Sequence, residues 1–162
     1  MMSGLEIVLA ATLMTALIAL TVIDLRTYRL PDLITLPLIA AGVLAAWLLG
    51  SPIWLHALGA GVGYIALVGV EKAYERARGR QGLGRGDAKL FAAGGAWCGA
   101  LALPFILLAA SVSALMYVGA LKLVSGRMIS ADDMIAFGPF LAFGIALIFA
   151  LQQLSLAAPL GL

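Results

Sequence analysis

The chain has 162 residues, of which 64% are apolar and 11% are charged, and its mean hydropathy is +1.10. A soluble domain of this length needs a polar exterior that such a composition cannot supply, so a water-soluble globular protein is excluded. The net charge of +2 is spread over short loops, and we expect no nucleic-acid partner.

Uncharged runs predict six helices in chain order. They lie near residues 5–23, 33–49, 53–70, 88–99, 102–121 and 137–153. A helix needs about 20 residues to cross about 30 Å of hydrocarbon. We therefore expect an all-α, polytopic membrane bundle of six transmembrane helices, formed by a single domain over residues 1–162. Beyond the third run, the charged residues are expected to extend its helix into water: Glu71, Lys72, Glu75 and Arg76.

The fourth helix is short, since about 12 residues reach only about 18 Å. A five-span alternative merges residues 90–121 into one bent helix, which places Lys122 and Arg127 on the opposite face. With six spans, all ten Lys and Arg residues share one face, which we expect to be cytoplasmic, with both termini periplasmic. The short helix is then expected to be enclosed by the others.

Asp24 closes the first helix, ahead of a loop that contains Arg26, Arg29 and Pro31. A carboxylate at the membrane edge must be paired, hydrated or neutralised, so such residues mark an ion path, a proton relay or a catalytic centre. The structural alternative is that Asp24 only binds one of the two arginines.

Asp87 begins the fourth helix, after Gly84-Arg85-Gly86 and before Lys89. Glycines in this position let another backbone approach closely. The structural alternative is that Asp87 only caps its helix. If the first and fourth helices are neighbours, the carboxyl groups of Asp24 and Asp87 converge.

Two converging carboxyl groups can hydrolyse an amide, because one takes a proton from water while the other donates to the carbonyl oxygen. Like charges this close cannot both form easily, so one proton stays on the pair. Helix polarity favours an anion at the helix start, which suggests Asp87 as the base and Asp24 as the acid. Three other aspartates are expected to cap helices or remain solvated: Asp32, Asp132 and Asp133.

Cys98 is the only cysteine and His56 the only histidine. This leaves too few ligands for a thiolate or zinc site, and we expect neither a metal nor a cofactor. Cys98 is expected to pack as a small apolar residue, and His56 to lie at the membrane interface.

Three motifs together resemble the prepilin (type IV leader) peptidase family, membrane aspartic proteases of the Gly-x-Gly-Asp type. They are Asp24 with Leu30-Pro31-Asp32, then Gly84-Arg85-Gly86-Asp87-Ala88-Lys89-Leu90, and then Phe137-Gly138-Pro139-Phe140. The match covers most of the chain. The resemblance implies that Asp24 and Asp87 are the catalytic pair. We add four candidate substrate-binding residues: Gly84, Gly86, Lys89 and Asp32.

The resemblance also implies a substrate, a prepilin or pseudopilin with a short basic leader that is cut at the cytoplasmic face. The setting would be a type IV pilus or type II secretion assembly in the bacterial inner membrane. Acidic residues are expected to attract the leader, namely Asp32, Glu71, Glu75, Asp132 or Asp133. The long family members carry a cytoplasmic insertion with paired Cys-x-x-Cys motifs that is missing here, so we expect no N-methyltransferase activity.

Two functions of other classes fit the same residues. In a small proton- or cation-coupled transporter, Asp24 and Asp87 would form a relay. In a structural subunit of a pilus or secretion assembly, they would serve packing alone. The chain offers no clear inverted repeat of the kind that many transporters contain.

Overall fold

The computed structural model describes residues 3–79, 84–125 and 136–157. Three residues named in the sequence predictions lie outside this part of the chain: Arg127, Asp132 and Asp133. Six α-helices make up the described part, with a short 3₁₀ turn at Ala100–Ala102. They are α1 (Gly4–Thr27), α2 (Asp32–Leu48), α3 (Ile53–Arg78), α4 (Arg85–Cys98), α5 (Leu103–Ser125) and α6 (Gly138–Ala157).

Local sequence signals set where several of these helices begin and end. Ser3 and Glu6 form a reciprocal capping box at the start of α1, which satisfies two backbone N–H groups that have no partner inside the helix. At the other end of α1, Tyr28 adopts a left-handed conformation with φ of 52°. Pro31 then directly precedes α2, where its fixed φ suits the entrance to a helix. Gly50, with φ of 69°, turns the chain between α2 and α3.

The predicted all-α membrane bundle is confirmed. Among the described residues, α1, α3 and the 3₁₀ turn continued by α5 are long and apolar enough to cross a membrane, while α2 and α6 are shorter apolar helices. Large apolar side chains on these outer helices face outwards, for example Ile18, Ile65 and Leu115, each about two-thirds exposed or more. Such surfaces suit contact with lipid rather than water. The protein is a multi-pass membrane protein.

A break at Gly99 separates α4 from the helical segment that follows. Gly99 has φ of 83°, in the left-handed region that an L side chain rarely adopts. The alternative of one bent helix over 90–121 is therefore wrong. α4 packs chiefly against α3 and α2 and also contacts α6, and its residues from Leu90 to Cys98 are all buried. The short fourth helix is enclosed by the others, as predicted.

The crossing of α3 and α4 depends on backbone contact between two glycines. A Cβ atom added at Gly59 would collide with the carbonyl of Gly95, and one added at Gly95 would collide with the carbonyl of Gly59. One turn along, a Cβ at Gly63 would come within 3.0 Å of the Phe91 carbonyl oxygen. These contacts fix the register of the antiparallel pair, and that register determines which α3 residues lie beside the start of α4.

The third helix does extend through its charged end to Arg78. The expectation that this whole extension lies in water is wrong at one position, because Glu71 is only 4% exposed. Glu71 lies on the side of α3 that faces the start of α4, where Arg85 is within ion-pair distance. Its neighbours Lys72, Glu75 and Arg76 are exposed as expected.

Candidate active site

Asp24 lies in the last turn of α1 and is only 5% exposed. Its Oδ2 accepts a hydrogen bond of 3.0 Å from the backbone N–H of Gly138, at the start of α6. Within the described part of the chain, no ion pair joins Asp24 to Arg26 or Arg29. The alternative in which Asp24 only binds a loop arginine therefore has no contact to support it.

Gly138 is in such close contact with Asp24 that a side chain cannot be added there. A Cβ at this position would lie 2.5 Å from Asp24 Oδ2 and 3.0 Å from its carboxyl carbon. Because Gly138 has no side chain, the Asp24 carboxylate can come close to it and accept a hydrogen bond from its backbone N–H. Gly138 belongs to the Phe137-Gly138-Pro139-Phe140 motif, and its contact with Asp24 gives this motif a physical role.

Asp87 lies in the first turn of α4, ahead of the buried apolar part of that helix. Burial, and secondly the nearby charge of Asp24, raise the pKa of Asp87 from 3.8 to about 7, against the lowering effect of a hydrogen bond from the Gly84 backbone. The charge of Asp24 thus acts on Asp87 across the space between the ends of α1 and α4. α1 and α4 need not be in direct contact for this electrostatic effect, because both helices pack against α6.

The arrangement can hold one negative charge and one proton. Burial disfavours a charge on Asp24, and the hydrogen bond from the Gly138 N–H opposes this larger effect, since it is donated to the carboxylate. With a pKa of about 7, Asp87 is about half protonated at neutral pH and mostly protonated below it. The Gly138 hydrogen bond points to Asp24 as the base and leaves Asp87 as the acid, the opposite of the assignment drawn from helix polarity.

The four candidate substrate-binding residues are all near the pair, and each has a contact within the protein. Gly84 precedes α4 and holds Asp87 through its backbone. Gly86 packs against Leu30, where a Cβ would come within 2.9 Å of the Leu30 Cβ. Lys89 and Asp32 form an ion pair of 2.5 Å with each other, which joins the start of α2 to α4. Their role in binding substrate stays a prediction.

Sequence reasoning did not identify Gly138 as a partner of Asp24 or Glu71 as a buried acid beside the site. The role of Gly138 could be inferred only in part, because the motif identifies the glycine but not its contact with Asp24. The second had one signal, since Glu71 follows four residues after the buried Leu67 on the same face of α3.

The opposite end of the bundle contains a cavity of about 320 Å³. It is lined by residues that include Glu6, Ser51, His56, Trp97 and Gln152, so it is remote from both aspartates. His56 Nδ1 lies 2.9 Å from the carbonyl oxygen of Ala96 and donates to it. In the described parts of the chain, no three side chains of His, Cys, Asp or Glu come together as ligands of a metal ion would.

Comparison with known proteins gives one family. The profile of the type IV leader peptidase family matches residues 11–119, a segment that contains both aspartates. No solved structure matches the chain.

Individual relatives agree with this match. A prepilin leader peptidase/N-methyltransferase of Aeromonas hydrophila is 47% identical over 115 residues, which is 68% of this chain and 39% of that protein. Proteins of the same name from Aeromonas salmonicida and Neisseria gonorrhoeae are 46% and 40% identical over 114 and 123 residues, covering 68% and 75% of this chain. They are covered over only 39% and 43% of their own length.

Proposed function

Because the chain belongs to the type IV leader peptidase family, we propose that it is an aspartic endopeptidase of the membrane that removes the short basic leader of prepilins or pseudopilins. The proposal is supported by the position of Asp24 in the last turn of α1 and Asp87 in the first turn of α4, two helices that both pack against α6. The raised pKa of Asp87, to which the charge of Asp24 contributes after burial, agrees with it. One shared proton between two acids is the arrangement that peptide hydrolysis by aspartic proteases requires.

In the proposed reaction, ionised Asp24 removes a proton from a water molecule as its oxygen attacks the scissile carbonyl carbon. Protonated Asp87 donates its proton to the carbonyl oxygen, which gives a neutral tetrahedral intermediate. Protonated Asp24 then gives its proton to the leaving nitrogen. As the C–N bond breaks, Asp87 takes a proton from a hydroxyl group of the intermediate, which forms the carboxyl product and returns the pair to its singly protonated form. The Gly138 N–H holds Asp24 in position during the cycle.

The proposed site of cleavage is the cytoplasmic edge of the bacterial inner membrane, where the basic loops are expected to lie. Arg26, Arg29 and Arg85 belong to the end of the bundle that holds the two aspartates. A substrate with one membrane-spanning segment can approach sideways between helices and present its leader at this edge. The partners of the protein are then the prepilin, the lipid bilayer and a pilus or type II secretion assembly.

The named relatives combine two activities, and the chain spans about two fifths of their length. We propose that only peptidase activity belongs to this chain, since it lacks the paired Cys-x-x-Cys motifs expected of the long family members. Mass spectrometry of a prepilin co-expressed with the protein tests both parts. Loss of the leader supports the peptidase, and the mass of one added methyl group on the new amino terminus would contradict the restriction to peptidase activity.

A control distinguishes the peptidase from the transporter and the structural subunit. The prepilin should remain uncleaved when it is co-expressed with Asp24→Asn or Asp87→Asn. If the wild-type protein leaves the leader intact but conducts protons or cations in vesicles, the transporter is correct. If it only copurifies with the prepilin, the structural subunit is correct.

A further inference from the structure

Glu71 and Arg85 form an ion pair whose two members are in different environments. The Glu71 side chain is 6% exposed, the Arg85 side chain is 73% exposed, and Arg85 Nε lies 3.6 Å from Glu71 Oε1. A buried carboxylate needs a cation beside it, whereas an exposed guanidinium is well hydrated without a partner. The distance is also long for a direct hydrogen bond. Arg85 can therefore move into water with little loss of free energy if another cation takes its place beside Glu71.

The register of α3 against α4 places this pair beside the catalytic site. Gly59 is opposite Gly95 and Gly63 is opposite Phe91 and Ala92, so each step along α3 corresponds to an equal step back along α4. Glu71 is therefore level with the residues just before Asp87. It lies about 6 Å beyond the level of Asp87, which is one helical turn and about two residues of an extended peptide.

The other described acids at this end are differently placed. Asp32 already has Lys89 at 2.5 Å, and Glu75 is exposed on the surface of α3. Apart from Asp24 and Asp87, Glu71 is therefore the buried acid among the described residues at this end. Its partner Arg85 can be exchanged for another cation. The cation that replaces Arg85 must come from a molecule that also reaches Asp87.

We propose that Glu71 is a specificity-determining residue that binds a Lys or Arg side chain of the substrate, about two residues from the scissile bond on the leader side. This inference rests on the proposed peptidase function. The hydrophobic segment of the substrate leads from the scissile bond into the membrane, so the leader is the part that passes Glu71. On binding, the basic side chain of the leader displaces Arg85, which moves into water.

The test uses the full-length protein in detergent and peptides that contain a leader and the start of the hydrophobic segment. One peptide has Lys at the second position before the cut, and matched peptides have Gln or Glu there. We expect the wild-type protein to favour the Lys peptide over the Gln peptide by about tenfold in kcat/KM. Glu71→Gln should remove this preference mainly through KM, whereas Glu6→Gln, at the opposite end of the bundle, should keep it.

Two further variants separate recognition from a purely structural role. Glu71→Lys should favour the Glu peptide, because the charges are exchanged. Arg85→Gln should lower KM for the Lys peptide but not for the Gln peptide, since it removes the competing cation; this variant decides the matter if Glu71 variants fail to fold.

The inference is overturned if the wild-type protein cleaves the Lys and Gln peptides equally well, or if the preference survives in Glu71→Gln. It is also overturned if Arg85→Gln leaves KM for the Lys peptide unchanged. In each of these results cleavage continues, so the proposed peptidase function stands. If the wild-type protein cleaves no leader at all, both proposals fail together.

Discussion

The backbone N–H of Gly138 and Oδ2 of Asp24 are joined by a hydrogen bond of 3.0 Å between helices at opposite ends of the chain. This contact ties the first helix to the last at the point where the proposed chemistry occurs. The N–H dipole of Gly138 acts on Asp24 and not on Asp87, so the two carboxyl groups differ in their electrostatic environment.

Loss of either aspartate should abolish cleavage. We expect Asp24→Asn and Asp87→Asn each to lower kcat by a factor of at least about a hundred, because an amide can neither accept nor donate the transferred proton. A purified cleavage assay measures this, with Glu6→Gln, at the opposite end of the bundle, as the control. Ordinary turnover in one of the two variants would show that this aspartate is not catalytic.

Gly138→Ala should impair the site without removing either carboxyl group. Its Cβ would lie 2.5 Å from Asp24 Oδ2, so Asp24 must move and lose its hydrogen bond. We expect kcat to fall by about tenfold or more. Gly119→Ala is the control, because a Cβ at Gly119 meets no atom within 4 Å. Equal activity of the two variants would rule out a role for the Gly138 contact.

The rate should fall as the pH rises through about 7. Below this value Asp87 holds the proton that it donates in the proposed reaction, and above it that proton is lost and no acid remains. A profile of kcat/KM from about pH 5 to about pH 9 measures this limb. A rate that instead increases through pH 7 would mean that ionised Asp87 is required, in agreement with the assignment from helix polarity.

Lys89 and Asp32 should act as a pair. If they bind each other, Lys89→Gln and Asp32→Asn together should do little more harm than either alone, with a coupling energy of about 0.5 to 1 kcal/mol in a double-mutant cycle on kcat/KM. Fully additive effects would show that each contacts the substrate independently, as the sequence analysis suggested.

The crossing of α3 and α4 should be sensitive at Gly59 and tolerant at Gly61. Gly59→Ala brings its Cβ against the Gly95 carbonyl, and overpacking of this kind costs about 1 to 3 kcal/mol. Gly61 is on the same helix, and a Cβ there meets nothing within 4 Å. Thermal unfolding in detergent should therefore separate the two variants, and identical unfolding temperatures would contradict the described crossing.

Much of the fold could be predicted because a membrane restricts the possible answers. Charge-free runs show where helices lie, and the short run before Gly99 correctly indicates an enclosed helix. The position of Asp24 and Asp87 at helix ends was equally visible. The contact between α1 and α6 was not, since nothing in the sequence says which helices of a bundle become neighbours. The prediction that Glu71 is exposed was wrong for a related reason. Its neighbours in the sequence are charged, and its burial becomes evident only when the packing of α3 against α4 is known.

The enclosure of α4 also bears on how the protein is made. The insertion machinery meets each segment in turn, and a 14-residue helix that begins with Arg85, Asp87 and Lys89 gains too little from lipid to stay inserted alone. We expect it to enter as a hairpin with α3 and to settle only after α6 has been synthesised. The two acids would then meet only once α6 is in place, so that a chain synthesised no further than α5 lacks the proposed catalytic pair.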